Sequence, residues 1–190
     1  MSFVLSVCSK EYSIMMSDGR VQKYVVNQEA HEDYPKVFQI SDKVCVGVSG
    51  DPVASFYILK DLQEFDVNKL TLERMKRILT NALKEVPINM QGVKFVISGR
   101  NKSNKFMTYC VDSQKDFEET AYDVANLEQP AVVYFGGKSE QIAEIVDNYI
   151  VKTFPWGNVE EAEKQMRACM LAVAAVDDSV NDNIYQMTVL

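Results

Sequence analysis

Apolar and polar residues alternate along this chain with two different periods, and the changes of period divide it into elements. Residues 3–8 and 12–17 are apolar at almost every position and are separated by Ser9-Lys10-Glu11, which predicts a hairpin of two strands covered on both faces. Val21–Val26 is a shorter strand candidate, and 27–34 is polar and reads as a loop. A second hairpin is expected from 36–40 and 43–48 around Ser41-Asp42. Asp51-Pro52 then opens a helix, with Asp as N-cap and Pro at the first helical position. Its predicted buried stripe is Val53, Phe56, Leu59 and Leu62. A second helix is expected over 71–86, with Leu72, Met75, Leu79, Leu83 and Val86 on one stripe, and Pro87 stops it. Strands follow at 93–98 and 105–111. Residues 113–128 are mixed and give no period. A strand at 131–135 runs into Gly136-Gly137. Helices at 139–154 and 158–176 flank Pro155-Trp156-Gly157, and the last strand is 184–189. Asn158 with Glu161 forms a variant of the capping box.

This order is strands, two helices, strands, two helices, strand. Runs of strands separated by paired helices point to the α+β class, not to alternating β-α units. Strands apolar on both faces need cover on each side. Two antiparallel sheets packed on each other, each with a helix pair outside, form a four-layer αββα sandwich that satisfies every segment.

Composition then narrows the function. The chain has 190 residues, enough for one domain over 1–190 with a sizeable core. Its net charge of −7 disfavours nucleic acid or an anionic membrane as the main partner. No apolar run approaches the roughly 20 residues that span a bilayer, and the start lacks the features of a signal peptide. Cys8, Cys45, Cys110 and Cys169 form no C-x-x-C pair and no zinc spacing, so a reduced, cytoplasmic protein without a metal site is expected. His31 is the only histidine and lies in a polar stretch, so a Ser-His-Asp mechanism would rest on it alone.

Candidate chemistry concentrates in the first fifty residues. Met1-Ser2 precedes the first strand, Asp18-Gly19-Arg20 follows the second, Lys36 stands between Pro35 and an alternating strand, and Ser49-Gly50-Asp51-Pro52 ends the second hairpin. At these positions the sequence resembles the N-terminal-nucleophile hydrolases, specifically proteasome β subunits and their bacterial ring-protease relative. Ser2 lies where that family has its nucleophile, Asp18 and Arg20 match its Asp-x-Arg, Lys36 its lysine, and Ser49-Gly50 the pair whose glycine forms the oxyanion hole. Gly136-Gly137 and the Asp177-Asp178 turn match weaker landmarks.

The resemblance implies the αββα fold and a peptide or small amide substrate, cleaved without a cofactor. It also implies homo-oligomeric assembly. A serine hydroxyl needs a base, and an N-terminal serine carries one in its own α-amine, with a pKa near ~7.7–8.0. That requires removal of Met1. Lys36 would tune the amine, Asp18 would hold Lys36, and Gly50 would donate its N–H to the oxyanion. Arg20, Ser49, Asp177 and Asp178 are supporting candidates, with either aspartate a candidate to face the site. Val21, Val48 and Pro52 would line an apolar substrate pocket, beside strand edges at Val21-Gln22 and Gly47-Val48 open to β-augmentation. Phe135 stands where active relatives have a serine, which keeps a second reading open: a non-catalytic structural or ring subunit. Two other patterns fail on their own spacing. Gly137-Lys138-Ser139 lacks the earlier glycine of a phosphate loop. The Asp177–Asn181 turn lacks the glycine and distal glutamate of a calcium loop.

Overall fold

The computed structural model describes residues 3–21, 32–61, 66, 70–85 and 92–190. Nine strands and four helices lie among them. The first sheet has the order β8-β1-β2-β9, built from β1 (Val4–Cys8), β2 (Ser13–Ser17), β8 (Ala131–Phe135) and β9 (Tyr185–Val189). The second has the order β3-β4-β5-β6-β7. Its strands are β3 (Val37–Gln39), β4 (Val44–Gly50), β5 (Val93–Arg100), β6 (Phe106–Asp112) and β7 (Glu118–Asp123). Every pairing is antiparallel.

Three apolar clusters define the layers. Leu5, Val7, Ile14 and Met16 pack against α3 (Ile142–Val146, continued as a π-helical turn over Asp147–Val151) and α4 (Val159–Val176). Val46, Val48, Phe95 and Ile97 pack against α1 (Pro52–Asp61) and α2 (Leu72–Glu85). Val4, Cys8, Met15, Cys45 and Val96 lie between the sheets. The layers are therefore α, β, β, α, as the two-sided burial of β1 and β2 requires. Gly47 lets the sheets close at their centre, because a Cβ there would stand 2.7 Å from Met15 Sδ and 2.8 Å from Val4 Cγ1.

The expected N-caps of α1 and α4 hold, the helix expected over 139–154 is helical over 142–151, and the expected stop at Pro87 lies outside the described residues. Asp51 Oδ1 accepts the N–H groups of Val53 and Ala54, and Asn158 Oδ1 accepts that of Glu161. The buried stripe of α2 is Leu72, Met75, Leu79 and Leu83, as its spacing predicts. For α1 the expected face is wrong at Val53 and Phe56, whereas Leu59 packs against the core as expected. Val53 and Phe56 are 55% and 54% exposed, while Ala54, Ser55 and Ile58 are buried. The α1 sequence is apolar around most of its circumference, so period alone does not select a side. Ser55 can face inward because its hydroxyl donates to Asp51 O at 2.6 Å. Residues 113–128, which give no period, contain edge strand β7 between two short 3-10 turns. Val21 makes a single bridge, and the rest of that strand candidate, like Leu62, Val86 and His31, falls outside the described residues.

Candidate functional site

The N-terminal end of β1, the C-terminal end of β2 and the entry to β3 meet at one buried ion pair. Asp18 is fully buried just past β2, where its backbone N–H donates to Phe3 O at 3.2 Å. Its Oδ1 accepts the Phe3 N–H at 2.7 Å and the Lys36 ammonium at 2.9 Å, and its Oδ2 accepts the Arg20 N–H at 2.8 Å. Lys36 is 2% exposed and reaches this carboxylate from the residue before β3. Its Nζ also donates to Asp18 O at 3.0 Å and Arg20 O at 2.7 Å. Three acceptors within hydrogen-bond distance need three N–H donors, which only the protonated amine supplies. Burial pushes the Lys36 pKa below its ordinary value, and the charge and hydrogen bond of Asp18 oppose that shift.

A second wall comes from the other sheet. Gly50 ends β4 with φ of +113°, where a Cβ would approach Gly92 O to 2.1 Å. The turn delivers the chain into α1, and Asp51 N–H is fixed on Gly92 O at 2.9 Å. Ser49, directly before it, is buried. This close backbone approach is the local reason for glycine.

The turn after α4 braces the same end of the sandwich. Asp177 is buried and Asp178 is exposed, so the structure separates the two aspartates that the sequence left equivalent. Asp177 Oδ2 accepts the N–H groups of Lys138 and Ser139, and its Oδ1 accepts the N–H and hydroxyl of Ser179. Burial raises its pKa, but those four donors outweigh it and hold the carboxyl at about 2. Asp178 contributes its backbone carbonyl to the Arg20 guanidinium, whose Nε pairs with Glu32 at 2.9 Å. Asn181 links Gly19 N–H to Glu32.

The low Asp177 pKa makes a testable statement about stability. Its contribution is complete above the ordinary aspartate pKa near 4 and is lost as pH falls through about 2. Asp177→Asn is expected to lose about 1–2 kcal/mol at neutral pH. Its stability should also fall less steeply than the parent's between those pH values. Urea unfolding at neutral and acid pH checks both.

The candidate residues thus fall into distinct places. Asp18, Lys36 and Arg20 form one cluster at the first sheet, and Gly50 and Ser49 lie at the end of β4. Ser2 falls outside the described residues; its carbonyl carbon is bonded to the Phe3 nitrogen that donates to Asp18. Val48 is 4% exposed, and its side chain belongs to the core beneath α1 and α2; Val21 and Pro52 are half-buried. The expected strand edge at Gly47-Val48 is overturned. Gly47 pairs with Val37 and Val96, and Val48 N–H donates to Lys36 O at 2.9 Å, so this segment is interior to its sheet. Phe135 pairs with Val4 and packs against the apolar layer between the sheets.

Sequence reasoning missed Ser179, Asn181 and Glu32. The only signal for Ser179 and Asn181 was the polar run 177–183, and Glu32 lies in the polar stretch 27–34 read as a loop; neither stretch shows its partner locally. Burial raises the pKa of all four cysteine thiols, those of Cys45, Cys110 and Cys169 to about 12. Among the described residues no cluster of His, Cys, Asp or Glu suits a metal ion, and no helix is long and apolar enough to cross a membrane.

No protein-family model and no curated protein matches the chain by sequence. Solved structures match it throughout. Anbu (ancestral beta-subunit) from Yersinia bercovieri superposes with a TM-score of 0.76 at 13% identity, covering 98% of this chain and 80% of that one. Eukaryotic HslV from Trypanosoma brucei gives 0.65 at 15% identity, covering 98% of each chain. A helical assembly of the Anbu complex from Pseudomonas aeruginosa gives 0.75 at 12%, covering 99% and 80%. These are proteasome-like N-terminal-nucleophile hydrolases, and the likeness establishes their sandwich fold for this chain.

Proposed function

We propose that this chain is an N-terminal-nucleophile amidohydrolase of the proteasome-like peptidase kind, with Ser2 as nucleophile after removal of Met1. The observation that carries the reading is the buried Lys36 ammonium on Asp18, with Phe3 N–H on the same carboxylate oxygen. Ser2 is therefore tethered, through one covalent bond and two hydrogen bonds, to a fixed positive charge.

In this reading Ser2 Oγ attacks the substrate carbonyl carbon and passes its proton to the Ser2 α-amine. The carbonyl π electrons move to oxygen, and the Gly50 N–H stabilises the oxyanion. Collapse expels the substrate amine, which takes the proton held on the α-amine, and leaves an ester on Ser2. Water, deprotonated by the same amine, hydrolyses the ester and returns Ser2. Lys36 acts by charge. Its three N–H groups are committed to Asp18 Oδ1, Asp18 O and Arg20 O, and it depresses the neighbouring amine's pKa so that more of it is the free base at neutral pH. Asp18 positions Lys36. Ser49, Arg20 and Asp177 support the turns, and Asp178 contributes through its backbone. Val21 and Pro52 stand at the substrate side, with no cofactor in the reaction.

Intact-mass measurement after treatment with an electrophilic peptide tests this. The expected result is loss of Met1 and one adduct on Ser2, absent in Ser2→Ala. Retained Met1 with no adduct would replace this reading with the second one, a non-catalytic ring subunit, which Phe135 favours. Self-association accompanies both readings, in keeping with the helical assembly described for the Pseudomonas aeruginosa Anbu complex.

A further inference from the structure

The end of the first sheet opposite the Asp18–Lys36 cluster holds a cavity of about 230 Å³ that the proposed chemistry does not use. It lies at the turn from β1 to β2. Tyr12, in its wall, is separated from Asp18 by the length of β2, about 20 Å. Three connections far apart in the chain build it: the β1–β2 turn, the segment between β7 and β8, and the segment that leads into α4.

Three aromatic residues, Tyr12, Phe154 and Trp156, line the cavity. The Phe154 and Trp156 rings stand nearly perpendicular, at 80° with centroids 5.7 Å apart. Tyr12 is buried, and Trp156 packs against the core cluster that contains it. Local hydrogen bonds hold these walls. Ser9 Oγ accepts the N–H groups of Glu11 and Tyr12, both at 3.1 Å. Trp156 Nε1 donates to Thr153 Oγ1 at 3.0 Å, so the indole N–H is satisfied within the protein. Gly157 N–H donates to Glu161 Oε2 at 2.7 Å.

Glu11 and Glu128 also line the cavity, against one cation, Lys10. None of the three has an ion pair among the described residues. Burial raises the Tyr12 pKa, the Ser9 hydrogen bond opposes that, and the Glu11 and Glu161 carboxylates raise it further, so the charges acting on this ring are negative. Aromatic rings beside unpaired carboxylates suit a cation that gives up its water easily. A methylated ammonium does, because its charge is spread over apolar methyl groups. A metal ion does not, and it would need oxygen, nitrogen or sulfur ligands that no cluster of described residues supplies. The volume is below the roughly 300–1,000 Å³ of pockets for drug-sized ligands, so the cavity accepts one headgroup and not a nucleotide.

We propose that this cavity binds a methylated ammonium group, with Tyr12, Phe154 and Trp156 supplying the rings and Glu11 and Glu128 the counter-charge. Choline and the side chain of a trimethylated lysine present the same group, and the test separates these two sources. The inference is independent of whether Ser2 reacts, because its readout is binding at the far end of the sheet.

Trp156 is the only tryptophan of the chain, so its fluorescence reports occupancy of the cavity directly. Choline titrated into the full chain at constant ionic strength is expected to change that fluorescence saturably. Dimethylbutanol, the neutral analogue with carbon in place of nitrogen, should bind about tenfold more weakly or worse. Glu11→Gln/Glu128→Gln is expected to weaken choline about tenfold while leaving the neutral analogue and the far-UV circular dichroism unchanged. A short peptide carrying trimethyllysine, compared with its unmethylated form, gives the source. Binding of the methylated peptide tighter than choline assigns the group to a protein, and the reverse order assigns it to a free small molecule; both support the site. Three outcomes overturn the proposal: no saturable change with choline or the methylated peptide, equal affinity for the neutral analogue, which would make the cavity an apolar slot only, or choline binding indifferent to the loss of both carboxylates.

Discussion

Lys36→Met is expected to destabilise the protein by about 3–5 kcal/mol and to abolish labelling at Ser2. Removing the ammonium leaves the Asp18 carboxylate buried with, among the described residues, only the Phe3 and Arg20 N–H groups to satisfy it, and an uncompensated buried charge has a penalty of that size. The loss is a large part of a typical total of about 5–15 kcal/mol. It also frees Asp18 O and Arg20 O, which lose the donor that ties the 18–20 turn to β3. A double variant, Asp18→Asn with Lys36→Met, removes both charges and should recover part of the stability in urea unfolding without any recovery of labelling. That divergence separates the contribution of the pair to folding from its contribution to the chemistry. Parallel recovery of both would show that Lys36 serves the fold alone.

Gly50→Ala should be comparably damaging for a different reason. The backbone at Gly50 has φ of +113°, which L side chains rarely adopt, and the added Cβ would meet Gly92 O at 2.1 Å. Gly92 O is the acceptor that fixes Asp51 N–H at the start of α1, so the turn cannot give way without disturbing the helix cap. A cost of about 3 kcal/mol or more is expected. Acylation of Ser2 should fall further than stability does, because the donor N–H is carried by the same strained peptide. Gly157→Ala is the control. Its Cβ would meet only the carboxylate end of Glu161 at 3.3 Å, and its urea midpoint should stay near the parent's. Equal loss in the two variants would refute the steric argument.

Much of the fold is legible because burial on one stripe or on both faces leaves a period in the sequence. Strands β1 and β2 read as doubly covered and are. Helix α2 shows its buried stripe because its other positions are polar. Helix α1 does not, since Val53, Phe56 and Tyr57 are as apolar as the residues they turn away from. Strand β7, Glu118–Asp123, has the polar composition of an edge strand with β6 as its one partner, so no alternation reveals it. Of the candidate residues, Asp18 and Lys36 were legible through spacing that resembles a known family, and the structure brings these two together. The brace formed by Asn181, Glu32 and Gly19 was not legible. Asn181 is 149 and 162 positions away from its two partners, and only folding brings them together.

The saturated ammonium has a practical corollary. With every N–H of Lys36 occupied, that side chain has no proton to lend and no vacant lone pair with which to accept one. Under the proposed chemistry the proton carrier must then be whatever group begins the polypeptide. A purification handle fused ahead of Ser2 would convert that group into an amide and leave a correctly folded but inert sample, easily mistaken for a pseudoenzyme.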